Sequence, residues 1–192
     1  MDFVHPPKMF VFVDGVLAPR IFPFFYRSFA SSIDLNGDEN VLEFGGGSAG
    51  ISEKLIGRLE GGALTCMDIS PPMLEIAKRR LRRFPQARCL LGSIEDLDLE
   101  AGSFDVIVIH NALHDLPETE RSAAVTTLAS LLKDGGRLHF REPTKPSHGL
   151  PAKTYRTLMN QAGLEEVTGI EYKRFPIGPV FHGVFLKPSS EP

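Results

Sequence analysis

Little in this chain of 192 residues is extreme, and what it lacks removes several classes of protein. Two cysteines, Cys66 and Cys89, are too few for a disulfide framework and have no metal-ligand spacing, so no metal is expected. Both fall in apolar runs and read as buried thiols of a cytoplasmic protein. No run approaches the roughly 18 apolar residues of a membrane-spanning helix. The longest, Phe10–Val13 and Val106–Ile109, have strand length. A net charge of −3 supplies no polyanion-binding surface, so no nucleic-acid partner is expected. Pro6, Pro7 and Asp14 stand where a signal peptide has its apolar centre, so no secretory leader is expected. There is no internal repeat, and low complexity is confined to the tail Pro188–Pro192.

What is present suits one soluble α/β domain. From about residue 38, short apolar runs alternate with amphipathic stretches. Strands are expected at Asn40–Phe44, Ala63–Met67, Ala87–Leu91, Phe104–Ile109 and Arg137–Arg141. Helices are expected over Ser48–Glu60, where Ile51, Leu55 and Leu59 form one stripe, and from a capping Ser70 to about Arg83. Two more are expected over Pro117–Leu132 and about Pro151–Ala162, the latter ended by Gly163. The basic run Lys78–Arg83 reads as a solvated face, with Glu75 and Arg79 paired at i, i+4. A loop is expected over about residues 142–150. Glu166–Arg174 and Pro179–Lys187, joined by the turn signal Pro176-Ile177-Gly178, predict a closing hairpin. The predicted architecture is a three-layer α/β/α sandwich, with a mostly parallel seven-stranded sheet and a C-terminal antiparallel hairpin.

The sharpest local feature is Val41-Leu-Glu-Phe-Gly-Gly-Gly-Ser-Ala-Gly50. Glycines directly after a strand let the chain turn tightly and let a ligand approach bare backbone. Gly45, Gly47 and Gly50 also fit the G-x-G-x-x-G fingerprint of dinucleotide enzymes. Glu43 argues against a pyrophosphate, which a carboxylate two residues before the glycines would repel. A ligand with an ammonium and a sulfonium suits an acid there.

On these residues the chain resembles the class I S-adenosyl-L-methionine (SAM)-dependent methyltransferases, whose first motif is an acid, any residue, then G-x-G. The resemblance extends over about residues 38–187. It implies a Rossmann-like core with SAM as cofactor, held by Glu43, Phe44, Gly45, Gly46 and Gly47. Gly50 is expected to supply the freedom that a third family glycine, at the position of Ala49, usually gives. Asp68 stands where the family places an acid on both ribose hydroxyls, although it would equally serve a dinucleotide's ribose. Met67-Asp-Ile-Ser-Pro-Pro-Met-Leu74 resembles the family's D-x-S-x-x-M-L, which sets Ile69 and Met73 beside the adenine. Met73 reads equally well as plain helix core. Gly92-Ser-Ile-Glu-Asp96 resembles G-D-A-E-D, with Ser93 in place of the aspartate that accepts from the adenine amino group. Adenine recognition then rests on Ser93 and the backbone of Ile94, or on Glu95. His110 and Asn111, after the fourth strand, are assigned to the cofactor too. Leu132-Lys-Asp-Gly-Gly-Arg-Leu138 resembles the turn L-K-P-G-G-x-L.

Within the family the motifs are closest to the broad group that includes the ubiquinone/menaquinone-biosynthesis C-methyltransferases. His110-Asn-Ala-Leu113 is not an N-P-P-Y motif, and no Pro-Cys nucleophile is present. Residues 39–192 then form the SAM-binding core. Residues 1–38 form an N-terminal segment rich in aromatics (Phe10, Phe12, Phe22, Phe24, Phe25, Tyr26, Phe29), which either covers an apolar acceptor site or packs on the sheet. The acceptor is expected to be a small, apolar or lipid-like molecule. His114, in the loop past strand four, is the candidate general base, with Asp115 as cap of the following helix. The alternatives are a SAM-binding sensor or scaffold without activity and, further off, a nicotinamide-dependent oxidoreductase.

Overall fold

The computed structural model describes residues 2–174 and 178–189. Pro176 and Ile177 of the expected hairpin turn lie outside the described residues, as do Ser190, Glu191 and Pro192 of the tail. The strands belong to an eight-stranded mixed sheet: seven lie on its main path, and an eighth of two residues pairs beside it. By internal contacts the chain divides into two compact units, Met1–Leu97 and Asp98–Pro192.

The first unit opens with a helical segment made of α1 (Lys8–Phe10), a π-helical stretch over Val11–Leu17, α2 (Ala18–Ile21) and α3 (Pro23–Ala30). The run Phe10–Val13, of strand length, is therefore helical. Three parallel strands follow: β1 (Asn40–Phe44), β2 (Ala63–Asp68) and β3 (Ala87–Leu91), in the order β3-β2-β1. Val41 to Phe44 are buried without alternation, as in a strand covered on both faces.

Helix α4 spans only Ser52–Ile56, shorter than the sequence pattern suggests, because the turns around Ala49 and Gly57 cut both ends. Helix α5 (Pro71–Leu81) places its prolines in the first turn, where no N–H is missed, and buries Met73, Leu74, Ala77 and Leu81 as one stripe. The Ser70 side chain makes no capping bond; its N–H instead donates to Asp68 Oδ1 at 2.8 Å. Glu75 pairs with Lys78 at 2.8 Å, at i, i+3, rather than with Arg79. Cys66 is buried and Cys89 only partly so.

The second unit contains β4 (Phe104–His110), α6 (Glu118–Leu131), β5 (Leu132–Lys145), β6 (His148–Gly149), α7 (Ala152–Gln161), β7 (Glu165–Arg174) and β8 (Gly178–Leu186). Its order is β4-β5-β8-β7: parallel between β4 and β5, antiparallel from there on. The expected loop over 142–150 is instead a continuation of β5 that turns back into β6, pairing Lys145 with His148. Pro117 stands at the N-cap of α6 with no side-chain bond, so Asp115 does not cap that helix.

The turn before α4 carries the unit's one backbone surprise. Ala49 itself adopts the left-handed conformation, φ 62°, while Gly50 does not. Gly50 is needed for space: a Cβ there would stand 2.6 Å from the Tyr26 ring of α3. Ala49→Gly is expected to leave the protein as stable or up to about 1 kcal/mol more stable, relief of the left-handed alanine being partly offset by glycine's unfolded-state entropy. Gly50→Ala is expected to cost about 1–3 kcal/mol through overpacking against Tyr26. Urea unfolding of the two variants checks the pair, and the opposite order would remove this account of the turn.

Candidate cofactor site and the strand-four turn

In the first unit the glycine loop lies between two carboxylates. Glu43, on β1, is only 2% exposed. Its Oε2 accepts from the Ser52 N–H at 2.8 Å and from the Ser52 hydroxyl. It therefore holds the start of α4, the place a phosphate takes in a dinucleotide loop. Burial pushes the Glu43 carboxyl up from 4.5 to about 7, against the opposing effect of the two Ser52 bonds.

Asp68 ends β2 and accepts from Gly47 N–H at 2.7 Å through Oδ2 and from Ser70 N–H through Oδ1. Burial raises its carboxyl too, with those bonds opposing. The Ile69 N–H also favours the carboxylate, whose two oxygens, with about four lone-pair positions, keep room for another donor. Three of the loop N–H groups are committed: Gly46 donates to Met67 O, Gly47 to Asp68 and Ala49 to Gly46 O. A pyrophosphate would find those donors taken and two acids beside it.

The bare backbone at Gly47 faces the Met73 methyl and the Asp68 carboxylate, 3.4 and 3.9 Å from an added Cβ. Met73 is buried and Ile69 is exposed, so of the two expected adenine neighbours only Ile69 offers an open apolar surface. Ser93 donates to Asp96 Oδ2 at 2.8 Å, a turn contact; Ile94 is buried and Glu95 exposed. Arg80 of α5 bridges this unit's parts, donating to Ser48 O at 2.6 Å and to Gly15 O at 3.0 Å. Acids, bare backbone and an exposed isoleucine at one strand end fit a cationic nucleoside such as SAM.

In the second unit the turn after β4 is organised by a residue the sequence did not single out. Glu142 of β5 is fully buried. Its Oε1 accepts from Ala112 N–H at 2.6 Å and Leu113 N–H at 3.2 Å, and its Oε2 from His114 N–H at 3.2 Å. The same Oε2 lies 2.5 Å from His114 Nδ1. Asn111 enters this turn left-handed, φ 54°, with its N–H on Arg141 O.

The His114 side chain is 4% exposed. Its Nε2 is 3.3 Å from Asp115 Oδ1 but off the line a hydrogen bond needs, and the His148 ring packs edge-on at 4.6 Å. Burial alone would lower the His114 pKa; the Glu142 bond and the charges of Glu142 and Asp115 outweigh it and hold it above 6.5. His110 goes the other way, well below 6.5, through burial and the charge of Arg141, whose Nη2 lies 2.7 Å from its Nε2.

A family profile described as "Methyltransferase domain" matches residues 41–136. The chain belongs to this methyltransferase family. Its cofactor is SAM, whose positive charge suits the acids near Gly47. Among curated relatives, the ubiquinone/menaquinone biosynthesis C-methyltransferase UbiE of Shewanella piezotolerans is 30% identical over 121 residues, 60% of this chain and 47% of that protein. The chain thus matches about half the length of the curated relatives it resembles. Among solved structures, the N-methyltransferase NodS of Bradyrhizobium japonicum has a TM-score of 0.76 at 22% identity, covering 90% of this chain and 100% of that one. The same protein has been solved with S-adenosyl-L-homocysteine. The [4+2]-cyclase SpnF has a TM-score of 0.75 at 14% identity, covering 90% and 82%. These neighbours establish the fold alone.

Two outcomes follow for the acids. The Glu43 carboxyl is raised by folding, so its contribution is fully present below about 4.5 and lost as pH rises through about 7. Wild type is expected to lose on the order of 3 kcal/mol across that window, at about 1.4 kcal/mol per pH unit, and Glu43→Gln to flatten the slope. Denaturant melts at stepped pH read this directly. Glu142→Gln is expected to destabilise by about 2–3 kcal/mol and to move the His114 titration from above 6.5 to below it, because burial then dominates. An NMR titration that leaves His114 unmoved would show that Glu142 does not set its charge.

Proposed function

We propose that the protein transfers the methyl group of SAM to a small, apolar or lipid-like acceptor. The observation that carries this proposal is the pair of carboxylates, Glu43 and Asp68, set around bare backbone whose Gly46, Gly47 and Ala49 N–H groups are already used within the chain. Asp68 would hold the ribose hydroxyls and Glu43 the ammonium. Gly45, Gly46, Gly47 and Phe44 supply the close backbone, and Ile69 an adenine face beside the buried Met73. Ser93, Ile94 and Glu95, with His110 and Asn111, complete the set that the family resemblance assigns to the cofactor. When bound, SAM supplies an electrophilic methyl, so the chain's own work is to bind, orient and exclude water.

The acceptor class is supported by the relatives named for ubiquinone/menaquinone biosynthesis and by the aromatic N-terminal segment, in which Phe12, Phe22 and Phe24 are exposed. Residues 1–38 are then the acceptor side and 39–192 the cofactor core. We place the protein in the cytoplasm on the strength of its two free thiols. His114 is proposed as general base: Glu142 fixes the proton on Nδ1, leaving Nε2 to take one from the acceptor, once the His148 ring gives way.

Calorimetry with SAM and with NAD, followed by incubation with labelled SAM and a metabolite extract, tests the proposal. SAM is expected to bind, NAD is not, and Asp68→Ala is expected to weaken SAM about 10–100-fold through loss of charged hydrogen bonds. SAM affinity is expected to increase as pH rises to about 7, with a proton released, because a cation favours ionised Glu43. SAM binding without label transfer to any component would favour the sensor. In the pH–rate profile, His114→Gln is expected to erase an ascending limb placed above 6.5.

A further inference from the structure

The helical segment at the start of the first unit has two unlike faces. Its inner face is committed to the protein. Arg80 donates to Gly15 O at 3.0 Å, a Cβ on Gly15 would stand 2.8 Å from Ile76 Cδ1 of α5, and Phe29 is completely buried. Its outer face is apolar and open. Met9 is 72% exposed, Phe12 54% and Phe24 77%, and Val13, Leu17, Ile21 and Phe22 are exposed with them. Met9, Val13, Leu17 and Ile21 recur every four residues, with Phe12 next to Val13, so they share one side of the run Lys8–Ile21, and Phe22 and Phe24 follow at and past a 75° bend. Contiguous apolar surface of this kind marks a contact site rather than scattered exposure.

Charge identifies the partner. Within residues 8–30, Lys8, Arg20 and Arg27 stand against the single acid Asp14, in a chain whose net charge is −3. All three bases are exposed, and so are Arg79 on α5 and Arg82 at its C-cap; α5 is the helix that carries Ile76 and Arg80 to this segment. A two-fold contact between copies would bring the same bases toward one another. A surface of anionic headgroups would neutralise them while burying the phenylalanines. Among the described residues no single helix is long and apolar enough to cross a membrane; Lys8–Ile21 and Pro23–Ala30 pass that test only as a pair, bent by 75°, and the 14 residues Lys8–Ile21 span about 21 Å against a hydrocarbon core of about 30 Å. The segment therefore suits lying on a bilayer rather than traversing it.

We infer that the outer face of residues 8–24 docks the protein on a lipid bilayer bearing anionic headgroups. This holds whatever the methyl acceptor is, so its test is read beside SAM affinity. The whole protein is sedimented with phosphatidylcholine vesicles and with vesicles that also contain phosphatidylglycerol, across a salt series. Binding is expected only with phosphatidylglycerol, and it should weaken with salt and fall roughly fivefold for each of Lys8→Gln, Arg20→Gln and Arg27→Gln. Phe12→Ser with Phe24→Ser is expected to abolish binding even at low salt, with circular dichroism and SAM affinity unchanged. Wild type that stays in solution with both vesicles overturns the inference. So does salt-independent binding to phosphatidylcholine alone, or a dimer in ultracentrifugation that the phenylalanine substitutions dissolve.

Discussion

A carboxylate removed from water must be given donors or give up its charge, and the glycine loop is arranged around one that is only partly compensated. Glu43 has two hydrogen bonds from Ser52 and the more distant charge of Arg80, while Asp68 adds a like charge nearby. That balance leaves its carboxyl near neutrality in pKa. Much of the local shape follows. Ser52 must bring both its N–H and its hydroxyl to β1, so α4 begins there. The loop between folds tightly enough that a Cβ on Gly46 would lie 2.5 Å from Cys66 Sγ and 3.2 Å from Glu43 Cδ. An alanine is held left-handed to finish the turn.

The second unit solves a related problem with a better-compensated carboxylate. Glu142 gathers three consecutive backbone N–H groups, from Ala112, Leu113 and His114, together with the His114 ring. Three N–H groups of an irregular turn would otherwise be buried without partners, at a cost of about 1–3 kcal/mol each. At Glu142 the fourth partner is the His114 imidazole, whereas at Glu43 the Ser52 hydroxyl stands in that position.

Much of this was legible in the sequence, for reasons that are local. The alternation of apolar runs and helical stripes located β1 to β5, most plainly for β1, β2 and β4, which are buried on both faces and cannot conceal their composition. Glu43 and Asp68 stand out in the sequence because each lies at a fixed offset from glycines or a strand end. Glu142 was missed because its meaning is long-range: it serves residues about thirty positions earlier, and Pro143 beside it made the strand look finished at Arg141. The glycine rule misplaced the left-handed residue, since Gly50 answers to the Tyr26 ring rather than to its own φ. Asp115 and Ser70 have the right residue types for caps, but α6 takes no side-chain cap and Asp68 accepts from the Ser70 N–H.

Fold alone leaves the chemistry open, since SpnF, named for a cycloaddition, superposes about as well as NodS, named for methyl transfer. Side-chain energetics narrow it. A glutamine at position 43 would offer Ser52 an equivalent oxygen without a charge to desolvate, so for the empty fold the acid is the costlier choice. Asp68 is a second burial-raised acid facing the same loop. An arriving cation reverses the balance: it converts the desolvation of Glu43 from a cost borne by the fold into affinity for the ligand. It does so at a loop in which the Gly46, Gly47 and Ala49 N–H groups are already bonded within the chain. A positively charged nucleoside is the ligand for which these two acids make physical sense together.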